Sequence, residues 1–150
     1  MVWFSLFGKK HLKEKIKLKG IIVLTVRDKN GKIRDKRVIE NTITDAGKTR
    51  VAQLMCGVST TPFKYIGIGS GTATASGLGS PIAYRQADVN APTTYARWTT
   101  TFTMSSNVTV TEAVLCDSST GGTVLSYQNF TGISMVAGEQ LTIEWTITVS

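Results

Sequence analysis

Histidine occurs once in this chain, at His11, and cysteine twice, at Cys56 and Cys116. With its one imidazole set among lysines, the chain cannot assemble a Ser-His-Asp or Cys-His arrangement in its body. The same scarcity leaves no His/Cys cluster with zinc-ligand spacing. Two distant cysteines without a CxxC pair make no disulfide framework and read as small buried hydrophobes. A long apolar run is missing too. MVWFSLF is too short to cross a bilayer, and it precedes the lysines rather than following them as in a secretory signal. These shortages lead to the expectation of no enzyme, no metal, no cofactor and no transmembrane segment, in a soluble protein of a reducing cytoplasm or of something assembled there.

Acid is scarce at one end. Residues 1–50 hold 14 Lys and Arg against 5 Asp and Glu, a balance of +9, whereas residues 51–150 hold 3 against 5, a balance of −2. A basic segment on a nearly neutral body seeks nucleic acid, an anionic membrane face or an acidic protein surface, or is simply a solvated face. Nucleic-acid binding calls for aromatics interleaved with the positive charge. Here the lysines cluster and the aromatics sit at their end, so nucleic acid is the least favoured partner.

The length of 150 residues, 41% hydrophobic and 18% charged, suits one domain with a single core. Residues 1–20 read as a basic, aromatic N-terminal arm and residues 21–150 as a β-rich domain. In the arm, Trp3, Phe4 and Phe7 are the candidate anchors, and Lys9, Lys10 and Lys13 their electrostatic partners. Such a tip can bury its aromatics in a partner subunit, lie on a membrane, or pack on its own domain.

LKGIIVLTVRD, an Asn30-Gly31 turn and KIRDKRVIE spell a β-hairpin. TDAGKTRVAQLMCG changes period. Thr44 or Asp45 can cap a helix, Val51, Leu54 and Met55 share a face, and Gly57 ends it. Further on, Trp98, Thr100, Phe102 and Met104 fall on one side of a strand. In the last segment Leu141, Ile143, Trp145, Ile147 and Val149 alternate with Thr142, Glu144, Thr146 and Thr148. The expected fold is mainly β, an antiparallel β-sandwich or small β-barrel with one short helix and an N-terminal arm. Residues 70–92 show little periodicity and read as a long loop, functional or held by a neighbour.

The stretch KYIGIGSGT, Lys64 to Thr72, invites a phosphate-loop reading that fails on every template. Gly67, Gly69 and Gly71 lack the G-x-G-x-x-G spacing and a following helix, no P-loop lysine follows, and Ile68 stands where a nucleophile elbow needs glycine. Glycines alternating along a strand instead leave a face without side chains, open to another backbone or a bulky ring. Among the carboxylates, Asp88, Asp117, Glu139 and Glu144 occupy expected surface positions. Glu112, on an apolar strand, reads as an interior or interface charge matched to an arginine such as Arg85 or Arg97.

Taken in order, NTITDAGKTRVAQLMCG, FKYIGIGSGT, a loop ending in AYRQ, WTTTFT, and VTEAVLC through to LTIEWTITVS resemble a group of small virion proteins of tailed bacteriophages and related viruses. The resemblance covers about residues 40–150. It implies a structural protein located in the virion and assembled in the host cytoplasm. One role is capsid decoration (a cement protein), commonly trimeric, with the major capsid protein as partner. The alternative is a tail-fibre or receptor-binding tail component that contacts tail proteins or a host receptor. By this likeness the arm would clamp an adjacent capsid subunit, and its lysines would meet an acidic shell.

Overall fold

The computed structural model describes residues 15–150. The strands are β1 (Leu18–Arg27), β2 (Ile33–Asn41), β3 (Tyr65–Gly69), β4 (Pro81–Gln86), β5 (Asp88–Asn90), β6 (Tyr95–Thr103), β7 (Val108–Ser118), β8 (Gly121–Met135) and β9 (Gln140–Val149). The helix α1 (Asp45–Met55) lies between β2 and β3. One sheet runs β2-β1-β9-β6-β5 and the other β4-β3-β7-β8, and every pairing is antiparallel. β1 begins at Leu18, inside the stretch read as the arm, and pairs it with Val149.

The sheets form a sandwich and do not close into a barrel. Their shared core takes Ile22, Leu24 and Val26 from β1 and Leu141, Ile143, Trp145 and Ile147 from β9. Facing these are Ile66 and Ile68 of β3 and Ala113 and Leu115 of β7. Alternation explains the choice of face. Trp98, Thr100, Phe102 and Met104 are all buried, as their spacing requires, while Thr142, Thr146 and Glu144 stay half-exposed. Val149 departs from the pattern and is exposed, because the strand runs out past the end of the core.

Side chains occupy the seam where a barrel would close. On the flank formed by β2 and β8, Arg34 donates to the Ser134 carbonyl and Arg37 to the Thr131 carbonyl. These guanidinium groups occupy carbonyls of the edge strand β8 that a main-chain ladder would otherwise take. An edge blunted by charge resists both closure and adventitious pairing.

Helix α1 starts where Thr44 accepts the Gly47 N–H at 2.9 Å, and Gly57, at φ +77°, follows its end. Gly47 lies against β8: a β-carbon there would sit 2.8 Å from the Leu125 Cα. Arg50 fixes the next turn by donating to Asp117 at 3.0 Å and to the Thr61 carbonyl at 2.9 Å, with Phe63 beneath its guanidinium. Asp117 also accepts the Thr123 N–H, so the ion pair ties the helix to the β7–β8 turn.

Two expectations need correction. The 70–92 segment is not one long loop. Residues 81–86 and 88–90 are strands that add edges to both sheets, and the longest irregular stretch is 70–80. Of the two cysteines, Cys116 is buried as expected but Cys56 is exposed, because it caps the helix beyond its last packed turn.

Candidate functional site

The glycines of KYIGIGSGT pack as a side-chain-free face should. A β-carbon on Gly67 would lie 2.6 Å from the Tyr84 ring, and one on Gly69 would lie 2.5 Å from the Ser80 carbonyl oxygen. Above this face the 70–80 loop folds back over the outer side of the second sheet. There Ala73 joins Val114, Cys116 and Val124 in a small cluster, with Leu78 and Tyr84 packed against it.

Glu112 holds that loop down. Its carboxylate has no solvent exposure. One oxygen accepts the N–H groups of Gly71 (2.5 Å) and Ser80 (2.9 Å), and the other accepts that of Gly79 (2.5 Å). Next to it, the Thr111 hydroxyl donates to the Gly71 carbonyl. At the loop's far side Asn129 accepts from the Ala73 N–H and donates to the Ala73 carbonyl. The expected match to Arg85 or Arg97 is therefore wrong. Arg97 instead pairs with Glu144 at 3.6 Å across the outer face of the other sheet and stacks on Tyr95. Oriented backbone N–H groups compensate a buried carboxylate as a cation would, and glycine at 69 and 71 leaves room for the oxygens.

Two of the carboxylates expected at the surface are also structural. Glu139 is buried and bidentate to Arg34, at 2.8 and 2.9 Å. The Arg34 hydrogen bond, followed by the Val136 N–H, holds its carboxyl below the usual range, and the same pairing raises Arg34. Asp117 is the partner of Arg50 described above. Burial pushes the Cys116 thiol up to about 11, and burial, with Cys116 and Glu112 nearby, raises the Tyr84 hydroxyl. Among the described residues no group of three or more His, Cys, Asp or Glu could hold a metal ion, and no helix is long and apolar enough to cross a membrane.

The residues singled out as partner contacts, Trp3, Phe4, Phe7, Lys9, Lys10 and Lys13, lie outside the described residues. The described residues that follow them in the sequence are basic as well. Over residues 15–50 there are 11 Lys and Arg against 4 Asp and Glu. Among the described residues, Lys15, Lys17, Lys29, Lys32, Lys36 and Lys48 are exposed and make no ion pair. They ride on the approach to β1, the β1–β2 hairpin and α1. Sequence reading missed the neighbouring apolar exposure of Ile16 and Met55. For Met55 a signal was available, since it is the last residue of the helix and Gly57 follows it closely.

Comparison with family models, with curated proteins and with solved structures finds no match.

Proposed function

We propose that this chain is a virion structural protein, a decoration protein that binds the outside of a tailed-phage head and stabilises it. The observation that carries the reading is the concentration of basic charge in the first third of the chain. Lysines before β1, in the β1–β2 hairpin and on α1, without an ion pair among the described residues, continue the basic sequence that bears Trp3, Phe4 and Phe7, while residues 51–150 are nearly neutral. A chain so divided suits attachment through its basic third to an acidic shell, with the aromatics as anchors in the major capsid protein. Repetition over a lattice, and trimers at its symmetry axes, would multiply weak contacts into firm attachment. The order of motifs supports the same reading; two of them, FKYIGIGSGT and VTEAVLC, meet at the Glu112 clasp.

In the tail-component alternative the 70–92 segment and exposed turns would meet a host surface, and the N-terminal arm would plug into the tail. Within that segment residues 81–86 and 88–90 are strands and Glu112 pins the loop at Gly71 and Gly79, so a host contact there would use the exposed tip at residues 74–76. The test is substitution of Trp3, Phe4 and Phe7 by Ala, with occupancy measured on undecorated heads of the virus that encodes the chain. Occupancy should be lost while the β circular dichroism is kept. Unchanged occupancy removes the arm from the mechanism.

A further inference from the structure

Between α1 and the start of β1 runs an open groove of about 500 Å3, lined by Ile16, Leu18, Val51, Ala52 and Met55 together with Lys17 and Lys48. Ile16 is 69% exposed and Met55 73% exposed. Exposed apolar residues are ordinary when scattered singly. Here two of them meet across one concavity, and behind them Leu18 and Val51 pack on the main core. A concave apolar surface continuous with a core, of a size typical of binding pockets, marks a docking site.

We propose that this groove seats the apolar cluster Trp3, Phe4, Leu6 and Phe7 of the same molecule, storing it until a partner takes it. Connectivity places the cluster there. Ile16 is itself a wall of the groove, and the stretch from Phe7 to Ile16 reaches at most about 30 Å when extended. Tethering this short gives a local concentration on the order of millimolar, far above that of a second copy in dilute solution. Charge agrees as well. No side chain from Met1 to Phe7 is charged, so Lys17 and Lys48 do not oppose it, whereas the lysines at 9, 10 and 13 fall on the tether. Four large apolar side chains fall within the five residues from Trp3 to Phe7, and the groove's first wall residue, Ile16, follows Phe7 by nine residues. The inference does not depend on the virion reading, since it concerns the isolated chain. It adds one consequence: any partner that captures the aromatics competes with the groove.

The experiment places a nitroxide on Cys56, which is exposed and follows Met55 directly, and reads the Trp3 indole resonance in the full-length chain. Cys116 is buried and stays unlabelled. The seated cluster should show strong paramagnetic broadening of Trp3 within the labelled molecule. Isotope-labelled chains without nitroxide, mixed with nitroxide chains, should show none. The double variant Ile16→Asp, Met55→Asp replaces exposed side chains and should restore the resonance severalfold. Broadening only in the mixture would assign the groove to a second copy and overturn the proposal. An unbroadened Trp3 would overturn it too, as would broadening that survives the double variant. Neither result bears on head attachment, which is measured separately.

Discussion

Replacing Glu112 by Gln probes the joint on which the 70–80 loop depends. The carboxylate accepts three backbone N–H groups, two on one oxygen and one on the other. A Gln carbonyl in the first oxygen's place keeps the Gly71 and Ser80 bonds but makes them neutral, at a loss of roughly 1 kcal/mol each. Its NH2 then faces the Gly79 N–H, donor against donor, and the stranded N–H costs about 1–3 kcal/mol. Relief of the buried charge's desolvation offsets part of this. The expected net loss is about 2–4 kcal/mol, against less than about 0.5 kcal/mol for the half-exposed Glu144→Gln control. Urea unfolding gives the difference, and hydrogen exchange at Gly71, Gly79 and Ser80 locates it. A Glu112→Gln protein within about 0.5 kcal/mol of the parent, with those three amides still protected, would refute the clasp.

Three further outcomes are expected. Gly67→Ala puts a methyl group 2.6 Å from the Tyr84 ring and should cost about 1–3 kcal/mol; thermal unfolding measures it, and Tyr84→Leu in the same chain should recover part of the loss. Because Arg34 lowers the Glu139 carboxyl in the folded state, that pair's contribution is fully present above the unfolded carboxylate value of about 4.3. It is lost as pH falls through the lower folded value, so the stability gap between the parent and Arg34→Ala should be constant at neutral pH and narrow in acid. A gap that widens in acid would contradict the assignment. In the native protein a thiol reagent should modify Cys56 alone, while Cys116, buried with its thiol raised to about 11, should react only after unfolding; counting labelled thiols by mass settles this.

Much of the architecture was readable because it is local. Strict alternation from Leu141 to Ile147 fixed which face of β9 is buried, Thr44 and Gly57 bracketed the helix, and the glycines of KYIGIGSGT announced close packing. Non-local features were not readable. Glu112 advertised itself as a buried charge, but its partners are main-chain N–H groups on a loop, and these carry no side-chain signature. Searching for an arginine therefore led to the wrong partner. Sandwich or barrel depends on how the sheet edges meet, and contacts there such as those of Arg34 and Arg37 with β8 are encoded by no periodicity. Strands β4 and β5 escaped notice because edge strands need no buried face, and Pro81 opens the first of them. Of the surface proposed for attachment, the basic charge was legible. The groove was not, since it exists only where the chain before β1 passes α1.

The most direct measurement is co-sedimentation of the purified chain with undecorated heads, counting bound copies per particle. A decoration protein saturates at a fixed number set by the lattice, and loses that binding when Trp3, Phe4 and Phe7 are replaced by Ala. Absence of binding to heads, with retained binding to tails or host cells, would contradict the head assignment.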